Sequence, residues 1–242
     1  MQLLVLNPNT SHSTTRLLQD HIGPQLDAGV NLHMATARFG AAYVADEISY
    51  AVAEHAALDA YAEHCRCHGQ PDAVLLACFG DPGVWALRAL SGKPVIGLAE
   101  AAMREACAHG RFAIVTGGTA WRPMLLRLVR SLGMADALTD VHVAAPTGAQ
   151  LAADPPLARL LLGEMCRDAA RDAHAVVLGG AGLAGMAGRI ALPDGVPIVD
   201  SVDAGWRAAV RLARSPASDE PPSRSDAAWT GLSEALAAFV CG

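Results

Sequence analysis

Short apolar runs of strand length alternate along the chain with longer segments whose apolar residues recur every three or four positions. That alternation is the pattern of parallel strands covered by helices. The apolar runs predict strands near 2–6, 30–36, 73–77, 94–97, 112–116, 140–144, 175–179 and 196–199. Helical periodicity covers 11–27, 46–67, 83–90, 100–109, 120–131, 156–172, 203–213 and 226–239. The expected fold class is therefore α/β. A Pro/Ser-rich loop at 215–225 precedes the last helix, whose Trp229, Leu232, Leu236 and Phe239 are expected on one packing face.

An internal repeat sharpens this picture. DAVLLACFGDPGVWALRALSGKPVIG and HAVVLGGAGLAGMAGRIALPDGVPIVD align through a strand, a glycine-rich turn, a short helix, a proline turn and a second strand. Cys78 falls opposite Gly180, Gly80 opposite Gly182 and Gly83 opposite Gly185. Two pseudo-symmetric Rossmann-like lobes are expected, one from 1–97 plus 207–242 and one from 98–206, with the active site in the cleft between them. Gly180, Gly182 and Gly185, with Asp200 further on, also fit a dinucleotide fingerprint. Only about eight residues separate Gly185 from the Pro193 turn, too few for the long helix that such a site opens. The repeat accounts for the glycines without a nucleotide: each half presents a strand-to-helix turn to a shared cleft, where close packing and exposed N–H groups are wanted.

Composition narrows the function classes. The chain has 242 residues, is 52% hydrophobic and 17% charged, and holds no apolar run long enough to span a bilayer. A net charge of −6 with one lysine, Lys93, and no basic cluster gives neither nucleic acid nor an anionic membrane a handle. Lys93 lies beside Pro94 in a turn, so a Schiff-base cofactor is not expected. The cysteines at 65, 67, 78, 107, 166 and 241 lack the spacing of a disulfide framework, and MQLLVLNPNT lacks the features of a signal peptide. A cytoplasmic protein acting on a small molecule without a cofactor is the expectation, and the apolar content suits a homo-oligomer.

The chemistry-bearing residues cluster after strands. Asp81-Pro82 reads as the N-cap and first residue of the 83–90 helix, which would place Cys78 at a helix start that favours thiolate. Phe79 and Gly80 in the first turn, and Ala181 and Gly182 in the second, are expected to line the cleft. Asn7 and Asn9 follow the first strand, where open α/β sheets place ligand groups, and Thr10 and Ser11 cap the next helix. Thr116-Gly117-Gly118-Thr119 ends a strand and opens a helix, so its N–H groups are candidates for holding an oxyanion. His64-Cys65-Arg66-Cys67-His68 puts His64, Cys67 and His68 on one helical face. The run has no second ligand cluster in the sequence and reads as a polar helix end, so no metal is expected.

NPNTS at 7–11, ACFGDPG at 77–83, PVIGLAEAAM at 94–103, AIVT at 113–116 and LGGAGLAG at 178–185 resemble the hydantoin and allantoin racemases of the aspartate/glutamate racemase superfamily. The resemblance runs from residue 2 to about 213. It implies a cofactor-independent isomerase in which one cysteine from each lobe faces opposite sides of an acidic carbon, one taking a proton and the other returning it. Cys78 matches the first cysteine. The second belongs where this chain has Gly180. Either the reaction has diverged, or glycine was introduced by engineering, or another group serves the second face. A lone cysteine suits a one-sided reaction, as in the distantly similar arylmalonate decarboxylase, whose cysteine lies in the other lobe, and a binding protein without turnover is the non-enzymatic alternative.

Overall fold

The eight apolar runs become two four-stranded parallel sheets of identical order. The structure, a computed structural model, describes residues 1–192, 195–215 and 228–241. β1 (Gln2–Asn7), β2 (Asn31–Thr36), β3 (Ala73–Leu76) and β4 (Val95–Gly97) form the first sheet in the order β2-β1-β3-β4. β5 (Phe112–Gly117), β6 (Leu138–Ala144), β7 (Ala175–Leu178) and β8 (Ile198–Asp200) form the second in the order β6-β5-β7-β8. The central strands are buried on both faces, which is why they read as unbroken apolar runs rather than alternating ones.

The helices are α1 (His12–Ile22), α2 (Glu47–His68), α3 (Val84–Ser91), α4 (Leu98–Cys107), α5 (Trp121–Ser131), α6 (Gly148–Ala153), α7 (Pro155–Ala169), α8 (Ser201–Arg214) and α9 (Glu234–Cys241). The helices differ from the sequence pattern at four places, two of them with a local cause. The first helix stops at Ile22 rather than 27, because Gly23-Pro24 converts its end to a 3-10 turn. The 148–153 segment, unmarked by any apolar stripe, is a short helix because Thr147 and Gln150 form a reciprocal capping box. The second glycine turn gives single 3-10 turns at 181–183 and 187–189 instead of a helix. The last helix starts at Glu234 rather than 226; Trp229 precedes it and is half exposed, while Leu236 is buried and Phe239 stacks edge-on against Tyr61. Residues 193–194 and 216–227, which hold the Pro193 turn and nearly all of the Pro/Ser-rich loop, lie outside the described residues.

The two halves exchange a helix. α4 leaves β4 of the first sheet but packs on β7 and β8 of the second, and α8 leaves β8 but packs on β3 and β4 of the first. The two helices lie against each other, so one continuous hydrophobic core takes residues from both sheets, including Leu75, Leu98, Met103, Val177, Val202 and Trp206. Gly205 is the point of closest approach on α8: a Cβ there would lie 2.8 Å from Leu98 Cδ2 and 2.9 Å from Leu75 Cδ1. Gly205→Val is therefore expected to destabilise the protein by about 1–3 kcal/mol through overpacking, measured as a lower urea midpoint at unchanged m.

Candidate active site

Parallel strands aim their carboxyl ends the same way, and the loops after β1, β3, β5 and β7 meet in one cleft. The cavity there is about 380 Å³. Asn9, Ser11, Tyr43, Cys78 and Phe79 line it from the first half, and Thr116, Trp121, Gly148 and Gly179 to Gly182 from the second. Each half's turn receives an aromatic ring from the other. A Cβ on Gly179 would lie 2.2 Å from the Phe79 ring, and one on Gly80 would lie 2.3 Å from Trp121. Gly80 has φ 119° and its carbonyl accepts the Tyr50 hydroxyl at 2.7 Å, so two contacts hold the turn that follows Cys78.

The electrostatics of that turn correct the sequence reading. Asp81 does not cap α3, whose N-cap is Gly83 in the left-handed conformation. Asp81 is itself left-handed, with φ 56°, and fully buried. Its carboxylate reaches the start of α4 instead, accepting from Ala99 N at 2.9 Å and Glu100 N at 2.7 Å. Burial pushes the Asp81 carboxyl up to about 7, outweighing those two N–H groups, which favour the ionised form. Cys78 is pushed well above the ordinary thiol range, first by burial and then by the Asp81 charge. At neutral pH the cavity therefore holds a protonated thiol, not the stabilised thiolate that a helix start would produce.

The other expected site residues divide. Asn7 is fully buried and does not line the cavity; its Nδ2 donates to Ser11 O and Thr15 Oγ1, and its Oδ1 accepts from Asn9 N. Asn9 Oδ1 accepts from Ser11 N, leaving its Nδ2 without a hydrogen-bond partner among the described residues on the cavity wall. Ser11 lines the cavity and also caps α1 by accepting from Thr14 N. Thr116 lines it too, but its hydroxyl donates to Gly179 O at 2.7 Å and so fastens β5 to the second turn. Gly117 and Gly118 do not line the cavity. Leu151 and Pro146 fill the space around Gly117, and Gly118 N donates to Ala144 O, so these glycines form no oxyanion hole. Ala181 and Gly182 line the cavity, as does Gly180, whose N–H donates to Ser201 Oγ at 3.2 Å. Asp200 caps α8 and accepts from Gly185 N at 2.9 Å, which occupies the acid that a dinucleotide ribose would need.

The sequence reading missed Tyr43. It lies in the segment between β2 and α2, which carries no periodicity, and its hydroxyl crosses to the second half to accept from Gly148 N at 2.9 Å. Burial pushes this phenol up, so its own proton stays in place and is free to be donated. Among the described residues, Cys78 and Tyr43 are the two side chains on the cavity wall that can gain or lose a proton in water.

From Leu3 to Ala209 the chain matches the Asp/Glu/Hydantoin racemase family model, residues 3–209. The chain belongs to the Asp/Glu/hydantoin racemase family. Membership places it among enzymes of the isomerase class. The hydantoin racemase of Paenarthrobacter aurescens is 30% identical over 215 residues, covering 88% of this chain and 91% of that protein. The allantoin racemase from Klebsiella pneumoniae superposes with a TM-score of 0.88 at 26% identity, covering 98% of both chains. Arylmalonate decarboxylase, at 17% identity and a TM-score of 0.58 over 92% of this chain and 96% of its own, shares the fold.

Asp81 generates a prediction. A carboxyl raised on folding stabilises the native state below its unfolded value and loses that contribution as pH rises through about 7. In Asp81→Asn, which keeps one acceptor for the two α4 N–H groups, the deficit against wild type is expected to be largest near pH 4 and to shrink towards pH 8. Urea denaturation across that range measures it; a deficit that grew with pH would contradict the assignment.

Proposed function

We propose that this racemase-family enzyme transfers a proton at an acidic carbon next to a carbonyl, most simply C5 of a 5-substituted hydantoin or a related small ring, with Cys78 as the acid/base and without a cofactor. One observation carries the reading: among the described residues lining a cavity shared by both halves, the titratable side chains are one thiol and one phenol. The cavity suits a small ring compound. Asn9 Nδ2 and the Tyr43 hydroxyl supply donors for ring carbonyls, and Phe79 and Trp121 supply apolar walls.

The proton steps follow from the raised thiol. When Cys78 acts as acid, its S–H bond breaks, the proton goes to the carbanion carbon, and the thiolate is reprotonated from solvent. When it acts as base, a thiolate with high proton affinity is better matched to a carbon acid than an ordinary one, at the expense of a small ionised fraction. On the second face the family's thiol position holds Gly180. Tyr43 can donate its phenolic proton to a developing enolate oxygen.

The glycine and the protonated thiol together favour a second reading, one-sided protonation after decarboxylation of a disubstituted malonate. There the bond to the carboxylate breaks, carbon dioxide leaves, its electron pair stays on carbon, and Cys78 delivers the proton to one face. Product with one enantiomer in excess would support this reading, whereas racemic product from an optically active hydantoin would support the first. Ligand-induced thermal stabilisation without isotope exchange would indicate a binding protein.

Cys78→Ala is expected to lower solvent deuterium incorporation at C5 by roughly 10²–10⁴-fold; retained exchange removes Cys78 from the mechanism. Gly180→Cys is expected to raise racemisation of hydantoin enantiomers, followed by polarimetry. It also lowers the melting temperature, because position 180 has φ 143° and a Cβ there lies 3.3 Å from Leu183. No gain in racemisation would move the assignment to the one-sided reaction.

A further inference from the structure

The run His64-Cys65-Arg66-Cys67-His68 closes α2 and has no partner cluster along the sequence, but the fold supplies a partner in His33 on the edge strand β2. The three imidazole centroids form a near-equilateral triangle: 5.2 Å between His33 and His64, 5.6 Å between His33 and His68, and 5.1 Å between His64 and His68. A divalent ion about 2.0–2.1 Å from each nitrogen stands about 3.2 Å from each ring centre, and a tetrahedral angle then separates the centres by about 5.2 Å. The ring centres have that spacing, while the ring nitrogens do not yet converge.

A second observation is independent of spacing. His64 is only 7% exposed, yet neither it nor His68 has a side-chain hydrogen-bond partner among the described residues. His64, His68 and Cys67 line a groove of about 160 Å³. His33 donates from Nε2 to Gln2 Oε1 at 2.7 Å, which leaves Nδ1 with the lone pair. Metal-bound histidines commonly give their other N–H to an oxygen in this way. Bringing the nitrogens together requires rotation of the rings about Cβ–Cγ, and the ring centre lies on that axis, so the triangle survives the rotation.

We propose that His33, His64 and His68 form a three-histidine site for a borderline divalent cation such as Ni²⁺ or Zn²⁺. The site is separate from the cleft and ties β2 to the C-terminal end of α2. Imidazole suits these ions, and the proposal is independent of the reaction assigned to the cleft.

The test is calorimetric titration of the metal-stripped full chain with Ni²⁺, together with thermal melting. One Ni²⁺ per chain is expected, with a melting temperature that climbs with Ni²⁺ concentration. His33→Gln, on the strand beside the groove, and His68→Gln, on the groove wall, are each expected to weaken binding by at least the roughly tenfold that loss of even an outer-shell partner causes. Cys78→Ala should bind Ni²⁺ as wild type does, separating this site from the cavity thiol. Lack of saturable Ni²⁺ binding overturns the proposal. So does wild-type affinity in His33→Gln, even where His68→Gln weakens binding, because two histidines on one helix would then suffice.

Discussion

The carboxylate of Asp81 holds the architecture of the cleft together. It follows the strand that delivers Cys78, yet it caps a helix that lies on the other sheet, because α4 has already crossed over. The fit is close enough that a Cβ on Gly97 would lie 2.0 Å from the Asp81 Cγ. A buried anion is tolerated only where donors meet it, and here two free N–H groups of a helix start do so. Nearby, Glu100 is balanced by Arg88 at 2.6 Å, which joins α3 to α4, and by Arg104 at 2.9 Å on its own helix. The same charge that fastens the first turn to the second half also helps keep the adjacent thiol protonated.

Around that anchor the molecule repeats itself. The two sheets share one strand order, and each glycine turn receives an aromatic side chain from the opposite half, Phe79 onto Gly179 and Trp121 onto Gly80. Glycine is required at these points because an added Cβ would collide with the rings, not because a phosphate must approach. The exchanged helices α4 and α8 extend the interlock into a single core. Neither half of the cleft can therefore shift far without disturbing the other.

Chemistry enters where the symmetry fails. The first turn carries a thiol, and the equivalent position in the second carries Gly180, in a conformation that side-chain-bearing residues seldom adopt. A scaffold with matched halves thus presents one thiol to its cavity, with Tyr43 reaching in from a connecting segment.

The sequence by itself determined the eight strands, nearly all of the helices and the internal repeat that aligns Cys78 with Gly180. These features follow from local periodicity, turn residues and an internal repeat, each readable within a few tens of residues. Local reading failed where a group's partner is remote. Asp81 looks like the cap of the helix beside it until Ala99 is seen to claim its carboxylate, and the thiol then becomes harder to ionise rather than easier. Tyr43 and Gly148 are 105 positions apart, and Gly118 gives its N–H to a neighbouring strand. His33 reaches the histidines of α2 only because β2 is the sheet edge beside that helix. Tertiary structure decided these because burial and charge depend on which distant groups close around a side chain, and no local pattern encodes that.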